Sequence, residues 1–301
     1  MDMARYAVCH QQWIAGQEAG LGELLEAAAN AAAGRATDAE LRAAVERCMR
    51  GYEEYATSRR AMAREEDGAA FFAPPWCTAF ENAVLWLGGC RPSLTIRLLY
   101  SISGEGLEAH IEEFLSGRRE GGVSGSVGMG LLGITATQLE RINDLHGRTL
   151  RDEGILTERL ASLQEDIADR PLLPIVRARE RAAAAVAALA GHNGSANCVG
   201  LPGRLAAAGS PGGIDAEVDA AMESYRAGLA KLLEEADELR MSTARALATE
   251  ILTPRQAVET LVAAKQLHLS VRDWSRRKEG AVNARLPRAS AATSSGATAN
   301  P

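Results

Sequence analysis

Four threonines that stand at segment starts are each followed three residues later by glutamate or glutamine. Each case falls where an apolar periodic segment begins: Thr37–Glu40, Thr78–Glu81, Thr135–Gln138 and Thr253–Gln256. This is the capping box of a helix start. The hydroxyl accepts from a free first-turn amide, and the third residue's side chain bonds back to the cap amide. Pro254 follows the last box at the first helical position, where a missing N–H costs nothing. A chain that opens segment after segment in this way is committed to helices. Alanine is abundant and aromatics make up only 4%, so helix contacts must rest on small and aliphatic side chains.

Periodicity predicts helices at 3–33 with an interruption near Gly20–Gly22, then 37–66, 78–87, 92–103, 106–116, 135–168, 175–190, 214–252 and 254–276. The segment from Ile214 carries a heptad seam: Val218, Met222, Tyr225, Leu229, Leu232, Ala236, Leu239, Thr243 and Ala246. Leu156, Leu160, Leu163 and Ile167 repeat that spacing in an earlier segment. Such seams pair inside one chain or between two; packing within the monomer is the simpler reading, and a homodimer is the alternative. Two long glycine-rich stretches, 117–133 and 191–213, read as mobile loops. The fold class is therefore all-α, an antiparallel helical bundle with long helices and two long Gly-rich loops. One domain covers 1–277, and 278–301 is a basic, then Ser/Ala/Thr-rich, disordered tail.

Several function classes fall away. The formal charge of -6 over 301 residues argues against DNA binding by overall charge. Cys9, Cys48, Cys77, Cys90 and Cys198 are scattered without a CxxC, which indicates neither a disulfide framework nor a zinc site. No apolar run is long enough to span a membrane, and the amino terminus lacks a signal core, so an intracellular protein is expected. GxSxG, HExxH and phosphate-loop patterns are missing, so the chain reads as non-enzymatic. The acidic cluster Glu234, Glu235, Asp237 and Glu238 reads as the solvated outer face of a helix.

The densest aromatic stretch runs from Phe71 to Ser93 and reads as two short helices and a hinge. Thr78 caps the first helix, and Phe80, Val84 and Leu87 form one stripe with Trp86 beside it. Gly88 or Gly89 ends that helix in the left-handed conformation. Pro92 starts the next, where Leu94, Leu98 and Ile102 face the core. Arg91 lies near carbonyl ends that welcome a cation.

At these residues the sequence resembles the plant Delay-of-Germination (DOG) domain, also found behind the zipper of TGA-type bZIP transcription factors. The matching residues are Trp76, Glu81-Asn82, Trp86, Gly88-Gly89, Arg91-Pro92-Ser93, Gln138-Leu139, Ile142-Asn143, Leu145-His146, Ser162 to Asp166, Glu235 to Arg240, and Leu252 to Ser270. Order and spacing hold from about Trp13 to Trp274. The resemblance implies a helical domain working through partners. Stand-alone DOG proteins promote seed dormancy and bind clade A type 2C protein phosphatases in abscisic-acid signalling. TGA relatives regulate transcription as dimers and use the domain for co-regulators and an acyl ligand. A family member binds haem through two histidines in a His-Leu-Ser-x-His pattern. Here the pattern reads His268-Leu269-Ser270-Val271-Arg272: the first ligand is kept, and an arginine without a lone pair replaces the second.

The expected function is thus a nuclear, or nuclear and cytosolic, regulator of dormancy and abscisic-acid responses that binds type 2C phosphatases. A transcription regulator related to TGA factors, touching DNA directly or through TGA-type partners, is the alternative; a haem or lipid sensor is the third. No basic region before a zipper is present, so TGA-type DNA recognition is not expected to carry over. From Arg272 to Arg288 six cations face two anions beside Trp274, which suits a nuclear-import signal, a calmodulin-type contact, a phosphate patch or a solvated helix end.

Overall fold

All four capping boxes form. In the computed structural model, which describes residues 3–66, 68–115, 133–190 and 211–285, Thr37, Thr78 and Thr135 each accept from the third following amide and receive its side chain in return. Thr253 does the same with Gln256, at 2.9 and 3.3 Å. The helices are α1 (Met3–Ala32), α2 (Asp38–Glu65), α3 (Ala79–Val84), α4 (Pro92–Leu115), α5 (Ala136–Ile167), α6 (Leu173–Ala190), α7 (Pro211–Arg245) and α8 (Pro254–Arg285), with a 3-10 turn at Gly68–Phe71. The described residues contain no β-strand, so the fold is all-α. None of the described helices is long and apolar enough to cross a membrane.

Several boundaries differ from the sequence reading. α1 runs unbroken through Gly20 and Gly22, because it is packed along its length on α2 and α8. α4 continues through Ser103–Gly106, where glycines weaken a helix without forbidding one. α7 begins at Pro211, taking the end of the expected 191–213 loop into its first turn. α8 extends to Arg285, so the first part of the basic segment is helical. Residues 117–132, 191–210 and 286–301, where the two loops and the tail were expected, lie outside the described residues. α5 and α6 meet at a kink whose cause is local: Arg170 precedes Pro171 and is pushed to extended angles, φ −142° and ψ 106°.

α1 and α2 form a helical hairpin, and α8 packs against both. α7 lies on α2 and α5, and α4 bridges α5, α7 and α8. The largest apolar cluster joins Leu24, Val45, Met49, Ile96, Leu99, Ile142, Leu247 and Val258. A second gathers Leu87, Leu156, Leu232 and Ala236, with Leu160, Leu163 and Leu239 against it. The heptad seam of α7 therefore meets that of α5 within one chain. Gly228 allows the close approach, since a Cβ there would lie 2.8 Å from Leu163 Cδ2.

Candidate functional site

α3 is short. It ends at Val84, and Leu85 is already extended, φ −70° and ψ 141°. Trp86 and Gly89 then exchange both backbone hydrogen bonds, at 2.8 and 3.1 Å, across a two-residue turn. Its central residues, Leu87 (φ 45°) and Gly88 (φ 73°), are both left-handed, as a type I′ turn requires. Gly88 thus supplies the expected left-handed conformation, but in this turn rather than at a helix end. No side chain fits at Gly88, where a Cβ would sit 2.8 Å from Leu233 Cδ1 and 3.1 Å from Phe71 O. Leu87 tolerates a conformation costing about 1–2 kcal/mol because its side chain is buried against Leu156, Leu232 and Ala236.

Two arginines hold this turn by its carbonyls. Arg59, on α2, donates from Nη1 to Gly88 O at 2.5 Å. Arg240, on α7, donates to Cys90 O at 2.7 Å and Leu87 O at 2.9 Å, and also to Trp86 O. Asp237 balances both: it accepts from Arg59 Nε at 3.0 Å, from Arg59 Nη2, and from Arg240 Nη1 at 2.7 Å. Arg59 is 4% exposed and Asp237 2%. Asp237 is therefore no solvated residue, contrary to the outer-face expectation for the acidic cluster. Glu234 and Glu235 are likewise engaged, by Arg64 and Arg159. Helix periodicity explains the correction: Asp237 continues the stripe of Ala230 and Leu233, on the face turned to the core.

The next residues are pinned from α5. Glu153 is completely buried and accepts from Arg91 Nε at 2.6 Å, Ser93 N at 2.7 Å and Ser93 Oγ at 3.0 Å. Its carboxylate occupies the N-terminus of α4, where free amides and the helix dipole favour an anion. Pro92 opens that helix without needing an acceptor. Arg91 thus faces a carboxylate, not the carbonyl ends the sequence suggested. Leu94 is exposed, Ile102 packs against the core as expected, and Ile96 and Leu99 take the fully buried positions.

A third buried pair ties α3 to α8. Arg272 Nη1 donates to Glu81 Oε1 at 2.7 Å and lies 3.2 Å from His10 Nε2. Glu81 also accepts from Thr78 N at 2.8 Å. Burial pushes the Glu81 carboxyl up, but the Thr78 amide and the Arg272 guanidinium outweigh it and hold the group below its ordinary value. Burial, with the Arg272 charge second, pushes His10 down to about 4. Cys77 is pushed up to about 11 by burial and by Glu81, so it stays a thiol. Trp76 sits in an aromatic cluster with Tyr6, Phe71 and His10 at 5.8–6.3 Å between ring centres. A bis-histidine iron site at 268 and 272 does not fit: the Arg272 guanidinium is committed to Glu81, and His268 is exposed on α8.

α3 and α8 leave aromatic surface in the open. Phe80 and Trp274 meet edge to face at 4.9 Å, and each is 43% exposed. Lys278 Nζ lies 5.9 Å from the centre of the Trp274 ring, and Glu279 accepts from Ala79 N at 2.6 Å. Val84 is exposed as well, so of the expected core stripe only Leu87 is buried. Trp86 is partly buried, donating to Thr157 Oγ1 at 3.0 Å with Arg240 over its ring. Of the residues singled out from sequence, Trp86, Gly88, Gly89, Arg91, Pro92 and Ser93 converge on the turn. Glu81 lies on α3 with Trp76 and Trp274 beside that helix, and His268 lies on α8 within electrostatic reach of Glu81 and Arg272. Arg59, Asp237 and Glu153 were missed as partners, though each is a charge at a core position of its helix.

Residues 21–101 match the family described as seed dormancy control, DOG1. Among the relatives, Protein DOG1-like 3 of Arabidopsis thaliana is 32% identical over 273 residues, covering 90% of this chain and 84% of its own. Protein RESPONSE TO ABA AND SALT 1 of the same plant is 28% identical, over 67% of this chain and 64% of its own. The Arabidopsis Transcription factor TGA2 is 26% identical, over 84% of this chain and 58% of its own.

Proposed function

The chain belongs to the DOG1 seed-dormancy-control family, and from that premise we propose a regulatory protein of seed dormancy and abscisic-acid responses that acts by binding clade A type 2C protein phosphatases. The observation that carries the partner-binding reading is the Phe80–Trp274 pair. Two aromatics stand open to solvent where the short α3 meets α8, two helices that the buried Arg272–Glu81 pair joins. Exposed aromatic side chains on a rigid support are what protein interfaces use as anchors. The description of the matching family, seed dormancy control, and the name of one relative, for response to ABA and salt, agree with this direction.

Calorimetric titration against a panel of clade A type 2C phosphatases tests the reading. Micromolar or tighter binding is expected. Phe80→Ala and Trp274→Ala weaken it about tenfold or more, as anchor residues do, with the melting temperature unchanged. Trp86→Ala lowers the melting temperature, because its contacts are internal. Binding to none of the phosphatases would discard the partner assignment. It would favour the transcriptional reading suggested by the similarity to Transcription factor TGA2, which a mobility shift with steep salt dependence would support.

A further inference from the structure

A cavity of about 370 Å³ lies between α1 and α2, with α8 contributing Lys265. Lys265 is 3% exposed. Its Nζ donates to the neutral Gln17 Oε1 at 2.7 Å and lies 4.9 Å from the centre of the Tyr52 ring. Among the described residues no carboxylate forms an ion pair with it. Glu23, which acts on it electrostatically, is already bound to Arg47 at 3.1 Å, and Glu54 also lines the cavity from an exposed position. A buried ammonium is stable when paired and costly when not. Burial holds Lys265 below its ordinary value, with Cys48 and Glu23 opposing.

The space beside this cation is kept open by glycines. Gly16 and Gly51 line the cavity, and a Cβ at either would meet nothing within 4 Å. At Gly20 a Cβ would come within 3.3 Å of Lys265 Nζ. Mid-helix glycines weaken a helix relative to alanine, and close packing accounts for neither Gly16 nor Gly51. Trp13, stacked on Tyr55 at 4.4 Å and 9°, adds flat aromatic surface to the lining. Pockets of this size suit small molecules held by one or two convergent polar groups.

We propose that this cavity binds a compact aromatic carboxylate, its oxygens on Lys265 Nζ and the Gln17 amide and its ring beside Trp13 in the space left by Gly16 and Gly51. The site lies apart from α3 and the turn at 86–89, and stands or falls independently of the phosphatase reading. The probe is 1-naphthoate, titrated into the full chain by calorimetry, with 1-naphthalenemethanol as its neutral counterpart and dodecanoate as a flexible one. Saturable binding of naphthoate is expected, with the alcohol about tenfold or more weaker, the margin of a charge-assisted hydrogen bond. Lys265→Met lowers naphthoate affinity by a similar factor. Gly51→Leu fills the cavity and abolishes binding while the melting temperature holds or rises, which separates occlusion from unfolding. No binding, or equal binding by wild type and Lys265→Met, overturns the proposal. Dodecanoate binding in preference to naphthoate overturns it in favour of a lipid site.

Discussion

The two ends of the bundle are stabilised by different physics. Around Leu99 the core is aliphatic, with Leu24, Val45, Met49, Ile142 and Val258 in mutual contact. Around the turn at 86–89 the interior holds charges: Arg59, Asp237 and Arg240 on one side, Glu153 on the other. Aliphatic packing is forgiving, because neighbouring side chains can shift to absorb a change of shape. A buried ion network is not, since removing one partner leaves a charge without water or a counter-ion. Leucines can bury any helix that presents a stripe. Only directional donors can hold the carbonyls of Trp86, Leu87, Gly88 and Cys90 in and beside an irregular turn, and here two arginines supply them.

Conservative replacements separate the two ends most sharply. Asp237→Asn keeps shape but leaves two buried guanidinium groups uncompensated, so urea denaturation should show a loss of about 3–5 kcal/mol. Acidification is next. His10, at about 4 in the folded chain against an ordinary 6.5, is protonated more readily once unfolded. Its contribution is complete above 6.5 and fades as pH falls toward 4, about 2 kcal/mol by pH 5. His10→Gln flattens that slope in melts taken at pH 7 and pH 5. Leu99→Met, in the aliphatic end, conserves volume and should cost under about 1.5 kcal/mol; a loss equal to that of Asp237→Asn would erase the contrast. Thr37→Ala removes an exposed cap and should cost about 1 kcal/mol, visible as a small drop in melting temperature.

Local features were legible in the sequence. Every capping box forms, since a box needs only residues three apart, and the α7 seam found its partner in α5. Proline effects were local too: Pro254 and Pro92 open helices as expected. What escaped is what depends on distant residues. Arg59 and Asp237 are 178 positions apart, and either alone resembles a surface charge. A signal was present nonetheless. Glu153 falls in step with Ile142, Leu145, Thr149 and Leu156, all buried, and Lys265 and Arg272 follow Val258 and Leu261 on α8. A charge standing in register with an apolar stripe marks a buried pair or a ligand. The α3 stripe failed for the opposite reason: six residues are too few to bury a face once the chain turns at Leu85.

The separation of Arg59 from Asp237 also has a bearing on the order of folding. Their contact closes a loop spanning most of the chain, a closure whose entropy is lost before the pair returns anything. The helices and the α1–α2 hairpin form from near neighbours, whereas the turn is secured only when α2 and α7 have met. Its ion pairs are thus expected to be absent from the transition state. Their removal should quicken unfolding and leave the refolding rate almost unchanged, making the charged end of the bundle the determinant of how long a folded molecule lasts.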